Sequence, residues 1–132
     1  MNDLENIQRL TERFKRQMPD GEVYQKRLAE EFELILKQRF TEYFLKICDI
    51  IDITQDIKHM TRGSAGSSLV CYLLGITDVD PVKWNIPVAR FLNPLRDDLP
   101  DVDIDFEHWR QKDVMERIFK TVSYTHLRAH ET

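Results

Sequence analysis

The sequence predicts an α+β fold, rich in helix and carrying a small mixed sheet. Three observations lead there. Apolar residues recur at helical spacing through the first 54 positions, a glycine- and serine-rich stretch runs directly into an apolar segment at 61–74, and aspartates alternate with apolar residues over 101–106. At 132 residues with 42% hydrophobic and 32% charged content, the chain has the make-up of one globular domain. No stretch approaches the apolar length of a membrane span. The first residues lack the basic and apolar regions of a signal peptide, so the reading is a cytoplasmic protein without a membrane partner. Cys48 and Cys71 lie in apolar segments without metal-binding spacing, which predicts buried, reduced thiols. The net charge of −4 is not the footprint of a nucleic-acid binder.

Leu4, Ile7, Leu10 and Phe14 predict a helix from Asp3 to Met18, closed by Lys15-Arg16-Gln17 and stopped by Pro19. A second helix follows to Lys37, with Asp20 as N-cap and Val23, Tyr24, Leu28, Phe32, Ile35 and Leu36 as its apolar stripe. Lys26, Arg27, Glu30, Glu31 and Glu33 form its solvated side. Thr41 caps a third helix that buries Tyr43, Phe44, Ile47, Ile50 and Ile51 and leaves Asp49 outside. Ile57 to Met60 reads as a short strand. Thr61-Arg62-Gly63-Ser64-Ala65-Gly66-Ser67-Ser68 then precedes the run Leu69 to Leu74, which Gly75 ends.

Small residues let backbone approach a ligand, and a helix starting there aims N–H groups at an anion. The stretch is therefore either a phosphate turn, with Arg62 and the serine hydroxyls as donors, or a capped helix start that binds nothing. It is not a Walker A loop, since no Gly-Lys-Ser/Thr follows. Asp78 and Asp80 read as turn formers before Pro81, and Arg90 and Arg96 flank an Asn93-Pro94 turn. In a strand over 101–106, Asp101, Asp103 and Asp105 share one face while Val102, Ile104 and Phe106 fill the other. Such a face either holds a hard divalent cation, Mg²⁺ by its preference for few carboxylates, or keeps an edge strand soluble. A last helix spans Glu107 to Lys120, with Val114, Ile118 and Phe119 inward.

Taken in order, these stretches resemble the palm region of the C-family bacterial replicative DNA polymerases, the DNA polymerase III α subunits. The likeness rests on Tyr24-x-x-Arg27-Leu28-x-x-Glu31, Tyr43-Phe44-Leu45-x-x-x-Asp49, Arg62-Gly63-Ser64-Ala65, Ser68-Leu69-Val70, Leu74 to Pro81, Arg90-Phe91-Leu92-Asn93-Pro94 and Pro100-Asp101-Val102-Asp103-Ile104-Asp105-Phe106. The resemblance implies a polymerase-β-like nucleotidyltransferase palm over 20–121, after an N-terminal helix within 1–19. The end, 122–132, resembles a translated adaptor and reads as a non-native tail that includes His126 and His130.

By the same resemblance, Asp103 and Asp105 are the catalytic, metal-binding aspartates for two Mg²⁺ ions, and Asp101 is not a principal ligand. Gly63, Ser64 and Ser68 match the phosphate turn, and Arg62 and Arg90 match triphosphate contacts. The implied partners are primer–template DNA, deoxynucleoside triphosphates and other replisome subunits. His59-Met60-Thr61 replaces the family's Gly-Pro-Gly, and Ala89 stands where an acidic residue is usual. The family's third catalytic carboxylate and catalytic lysine lie further downstream, so the chain by itself is expected to be inactive. The remaining alternatives are another metal-dependent nucleotidyltransferase and a non-catalytic helical interaction module.

Overall fold

A computed structural model describes residues 2–95 and 98–131, with side chains through 121. Among the described residues, the regular structure consists of five helices and one two-stranded ribbon: α1 (Asp3–Glu12), α2 (Glu22–Gln38), α3 (Thr41–Ile53), β1 (His59–Arg62), α4 (Leu69–Leu73), β2 (Asp103–Phe106) and α5 (Gln111–Glu131). Short 3-10 turns cover Gly63–Ser67, Val88–Arg90 and His108–Arg110. Arg96 and the side chains of His126 and His130 lie outside the described residues.

The helix-rich α+β reading holds, with the sheet corrected from mixed to antiparallel. β1 pairs β2 in the register His59 with Phe106, Met60 with Asp105, Thr61 with Ile104 and Arg62 with Asp103. Both strands are shorter than or offset from the expected ones, β1 by two residues and β2 by its late start at Asp103.

α1 stops at Glu12, six residues before the expected Met18. The segment beyond it is drawn off the helix axis toward α4, because the N–H groups of Lys15 and Arg16 donate to the Leu73 carbonyl at 2.7 and 3.2 Å. Arg16 completes the tether by donating to the Tyr72 and Thr77 carbonyls and pairing with Asp78 at 2.5 Å. Asn2 caps α1, Gly21 rather than Asp20 precedes α2, and Phe40 rather than Thr41 precedes α3. Thr41 has a different task. Its hydroxyl, fully buried, donates to Asp3 and accepts from Asn6, which ties α3 to α1.

The core gathers Leu10, Ile35, Phe44, Ile47, Ile51, Val70, Leu74, Ile76, Phe91 and Leu92. Phe44 is edge-on to both Tyr43 and Phe91. Cys48 and Cys71 are buried free thiols as expected, and burial pushes the Cys48 thiol up to about 11. Val23 and Phe119, expected inward, are largely exposed. Asp56 anchors α5 to the end of α3 by pairing with Arg110 and Arg117, which also share Asp113. Among the described residues no helix is long and apolar enough to cross a membrane.

Candidate active site

Cross-strand neighbours of an antiparallel pair share a face, so the register sets Met60 and Arg62 beside Asp105 and Asp103 on the exposed side of the ribbon. The other side, with Thr61, Ile104 and Phe106, is half-buried. Here Ile104 packs on the core, and the Thr61 hydroxyl donates to the Ile76 carbonyl. Arg62 closes the acidic side upon itself: its Nε lies 2.5 Å from one Asp105 oxygen and its Nη2 3.2 Å from the other. Like charges at alternate strand positions are thereby answered from within the chain.

The Gly-Ser turn begins where β1 ends. Gly63 has φ of +82°, a conformation that L side chains rarely adopt, and a Cβ built on it would sit 3.3 Å from an Asp103 oxygen. The backbone bend is what calls for glycine; the Asp103 carboxylate, on an exposed side chain, would have to give by only a few tenths of an ångström. Gly63→Ala is expected to destabilise the chain by about 1–2 kcal/mol from backbone strain, measured by urea unfolding.

Ser64, Arg90 and Asp101 line one open pocket together with Asp98 and Gln38. The turn, the Arg90 segment and the approach to β2 therefore meet at one place. The approach is held by Tyr43, whose hydroxyl donates to the Pro100 carbonyl at 2.5 Å. Asp101 precedes β2 instead of continuing its acidic face. Among the described residues no group of three or more His, Cys, Asp and Glu is arranged to hold a metal ion. Asp103 and Asp105 form a pair, a number that suits a cation taking one or two carboxylates and filling its remaining positions with water and phosphate.

Ser68 lies elsewhere. Its side is fully buried; the hydroxyl accepts from the Cys71 N–H at 3.1 Å and donates to Glu31 at 2.7 Å. The N-terminus of α4 is likewise occupied: the Leu69 and Val70 N–H groups donate to Glu31 at 2.7 and 3.0 Å. The anion at this helix start is the chain's own carboxylate. The Leu69 and Val70 N–H groups are therefore not open to an outside anion.

Glu31 is the residue that sequence reasoning placed on the solvated side of α2, and it is 0% exposed. Its four partners, the three above and Arg27 Nε at 2.8 Å, are all donors, the pattern of an ionised carboxylate. Burial pushes its pKa up, opposed by the Val70 and Leu69 N–H groups, the Ser68 hydroxyl and the Arg27 charge. One signal was available. Glu31 stands seven residues after Tyr24 and four before Ile35, on the stripe that the apolar residues of α2 mark out.

The acidic ribbon and the glycine bend lie side by side, and comparison supplies the family. The chain belongs to the C-family bacterial DNA polymerases, since the model of the bacterial DNA polymerase III alpha NTPase domain matches residues 4–130. It is 44% identical to an error-prone DNA polymerase of Cutibacterium acnes over 102 residues, 76% of this chain and 9% of that protein. It is 41% identical to a DNA polymerase III subunit alpha of Staphylococcus aureus over 109 residues, 80% and 10% of the two chains. An error-prone DNA polymerase of Sinorhizobium medicae is 39% identical over 127 residues, 92% and 11%. The chain thus spans about a tenth of the length of these curated relatives.

Proposed function

We propose that this chain is a palm segment, polymerase-β-like in fold, of a DNA-directed DNA polymerase that extends a primer 3′-hydroxyl with deoxynucleotides in replication. The observation that carries this reading is the contact between the glycine bend and the acidic strand, with Gly63 against Asp103 and Arg62 on Asp105. A deoxynucleoside triphosphate needs both at once: donors for its phosphates and carboxylates for the cations that travel with it.

In this reading Asp103 and Asp105 hold Mg²⁺, with a third carboxylate supplied from downstream in the intact enzyme. When bound, the metal supplies charge neutralisation at the phosphates and a more acidic primer hydroxyl. The chain's own residues bind and orient. The Gly63–Ser64 backbone and the Ser64 hydroxyl receive phosphate oxygens, and Arg90, exposed at the same pocket, adds a guanidinium. Arg62, released from Asp105, adds a second. Ser68 contributes from behind by shaping the turn. Primer–template DNA and the other replisome subunits engage the intact polymerase in the cytoplasm, while the segment alone does no chemistry.

The test is an NMR titration of the chain with Mg²⁺ and then dATP. Mg²⁺ is expected to shift Asp103 and Asp105, and the nucleotide to shift Gly63, Ser64 and Arg90 only when Mg²⁺ is present. Absence of any response at the two aspartates at millimolar Mg²⁺ would point instead to a non-catalytic interaction module. Metal binding without a nucleotide response at the turn would count against the triphosphate pocket.

A further inference from the structure

Tyr24, Arg27 and Glu31 follow one another at intervals of three and four along α2, so they project from one face of the helix. Each side chain leaves the helix to hold another segment: Arg27 reaches two that flank the pocket, Tyr24 holds the Asp80 turn that runs on to Ile86, whose N–H donates to the Pro81 carbonyl at 2.8 Å, and Glu31 holds the start of α4 behind the Gly63–Ser67 turn. The Tyr24 hydroxyl donates to Asp80 at 2.6 Å, and Asp80 in turn accepts from the N–H groups of Val82 and Lys83. Arg27 uses one nitrogen, Nη2, to donate to two carbonyls from separate segments, Ser67 at 2.6 Å and Ile86 at 2.7 Å. Glu31 fixes Ser68, Leu69 and Val70.

The two carbonyls on Arg27 matter most. Ser67 closes the Gly63–Ser67 turn, its hydroxyl donating to the Ser64 carbonyl at 2.6 Å. Ile86 leads into the Val88–Arg90 turn that carries Arg90. One guanidinium therefore spans the segment bearing Ser64 and the segment bearing Arg90, the two sides of the pocket. With Glu31 meeting the Arg27 charge at 2.8 Å, the remaining N–H groups of the buried guanidinium still need acceptors, and those they find belong to two different segments. The bridge to both carbonyls adds a fixed spacing.

We propose that Tyr24, Arg27 and Glu31 are positioning residues that set the distance between the Gly63–Ser64 turn and Arg90, and through it the affinity of the site for a nucleoside triphosphate. This rests on the triphosphate reading of that pocket. None of the three touches the nucleotide; Arg27 bridges the two segments that do, while Tyr24 and Glu31 act through the stretches adjoining them. Preset loops spare a ligand the cost of ordering them, so loosening the brace weakens binding before it slows chemistry.

The experiment uses the intact polymerase that carries this segment, with Tyr24→Phe, Arg27→Lys and, as reference, Ser64→Ala. Tyr24→Phe removes one hydroxyl, and Arg27→Lys keeps the charge but not the forked donor geometry. Both are expected to raise the KM for deoxynucleotide about threefold to tenfold, the scale of a hydrogen bond or two, with kcat and primer–template affinity changed less than twofold. Ser64→Ala raises the same KM if the pocket holds triphosphate. If Ser64→Ala raises KM while Tyr24→Phe and Arg27→Lys lower only the melting temperature, the positioning role is overturned and the pocket stands. If Ser64→Ala leaves KM unchanged, the pocket assignment itself fails.

Discussion

Glu31→Ala is expected to cost the chain about 3–5 kcal/mol, read from urea unfolding by circular dichroism, because it strands a buried guanidinium and unties a helix end together. The carboxylate is fully buried and accepts four hydrogen bonds. Removing it leaves the Leu69 and Val70 N–H groups and the Ser68 hydroxyl without their acceptor in a dry interior. It also leaves Arg27, mostly buried, with its two carbonyls but no counter-charge. Glu31→Gln tells the two effects apart. The amide oxygen keeps one pair of donors satisfied, while the amide nitrogen faces another pair of donors, so the loss is smaller than for alanine but remains well above a surface change. A cost within the ordinary range of a surface glutamate, under about 0.5 kcal/mol, would contradict the buried network.

Phe44→Ala is expected to be of similar size, about 3–5 kcal/mol, by a different mechanism. Phe44 is 0% exposed, and its ring meets Tyr43 at 5.9 Å and Phe91 at 6.0 Å, each nearly perpendicular. Truncation removes buried apolar surface and opens a cavity that rigid neighbouring helices fill poorly. Tyr43 anchors Pro100, and Phe91 follows Arg90 directly, so the void lies beneath both supports of the pocket. Phe44→Leu is expected to recover most of the loss, since it returns volume without the edge contacts. The denaturant midpoint should fall with an unchanged slope, the mark of altered stability rather than altered compactness.

The helices were legible because their apolar residues keep a period that packing then uses: Leu10, Ile35, Phe44 and Ile47 all reach the core as the pattern predicts. Their ends were not legible. Lys15 and Arg16 look like the basic last turn of a helix, yet a carbonyl of α4, remote in sequence, takes their N–H groups. The alternation at Asp103 and Asp105 identifies the strand, and the adjoining bend at Gly63 follows from glycine chemistry alone. What eluded the sequence was occupancy. Ser68 has the residue type of a phosphate donor, but its hydroxyl is consumed by Glu31 and Cys71. Glu31 has the residue type of a surface acid, but a helix start assembled from distant residues gives it a reason to be inside. The competition for Ser68 is not visible until the chain is folded, and for Glu31 only its place on the apolar stripe of α2 hints at it.

Under the proposed function, the grip of Arg62 on Asp105 would make cation uptake at that aspartate an exchange instead of an addition. The pair is open to water, with the arginine 70% and the aspartate 47% exposed at the side chain, so parting the two costs little. On the proposed reading, an incoming divalent ion would evict a monovalent tenant, and the guanidinium set loose would then be at liberty beside the polyanion that arrived with it.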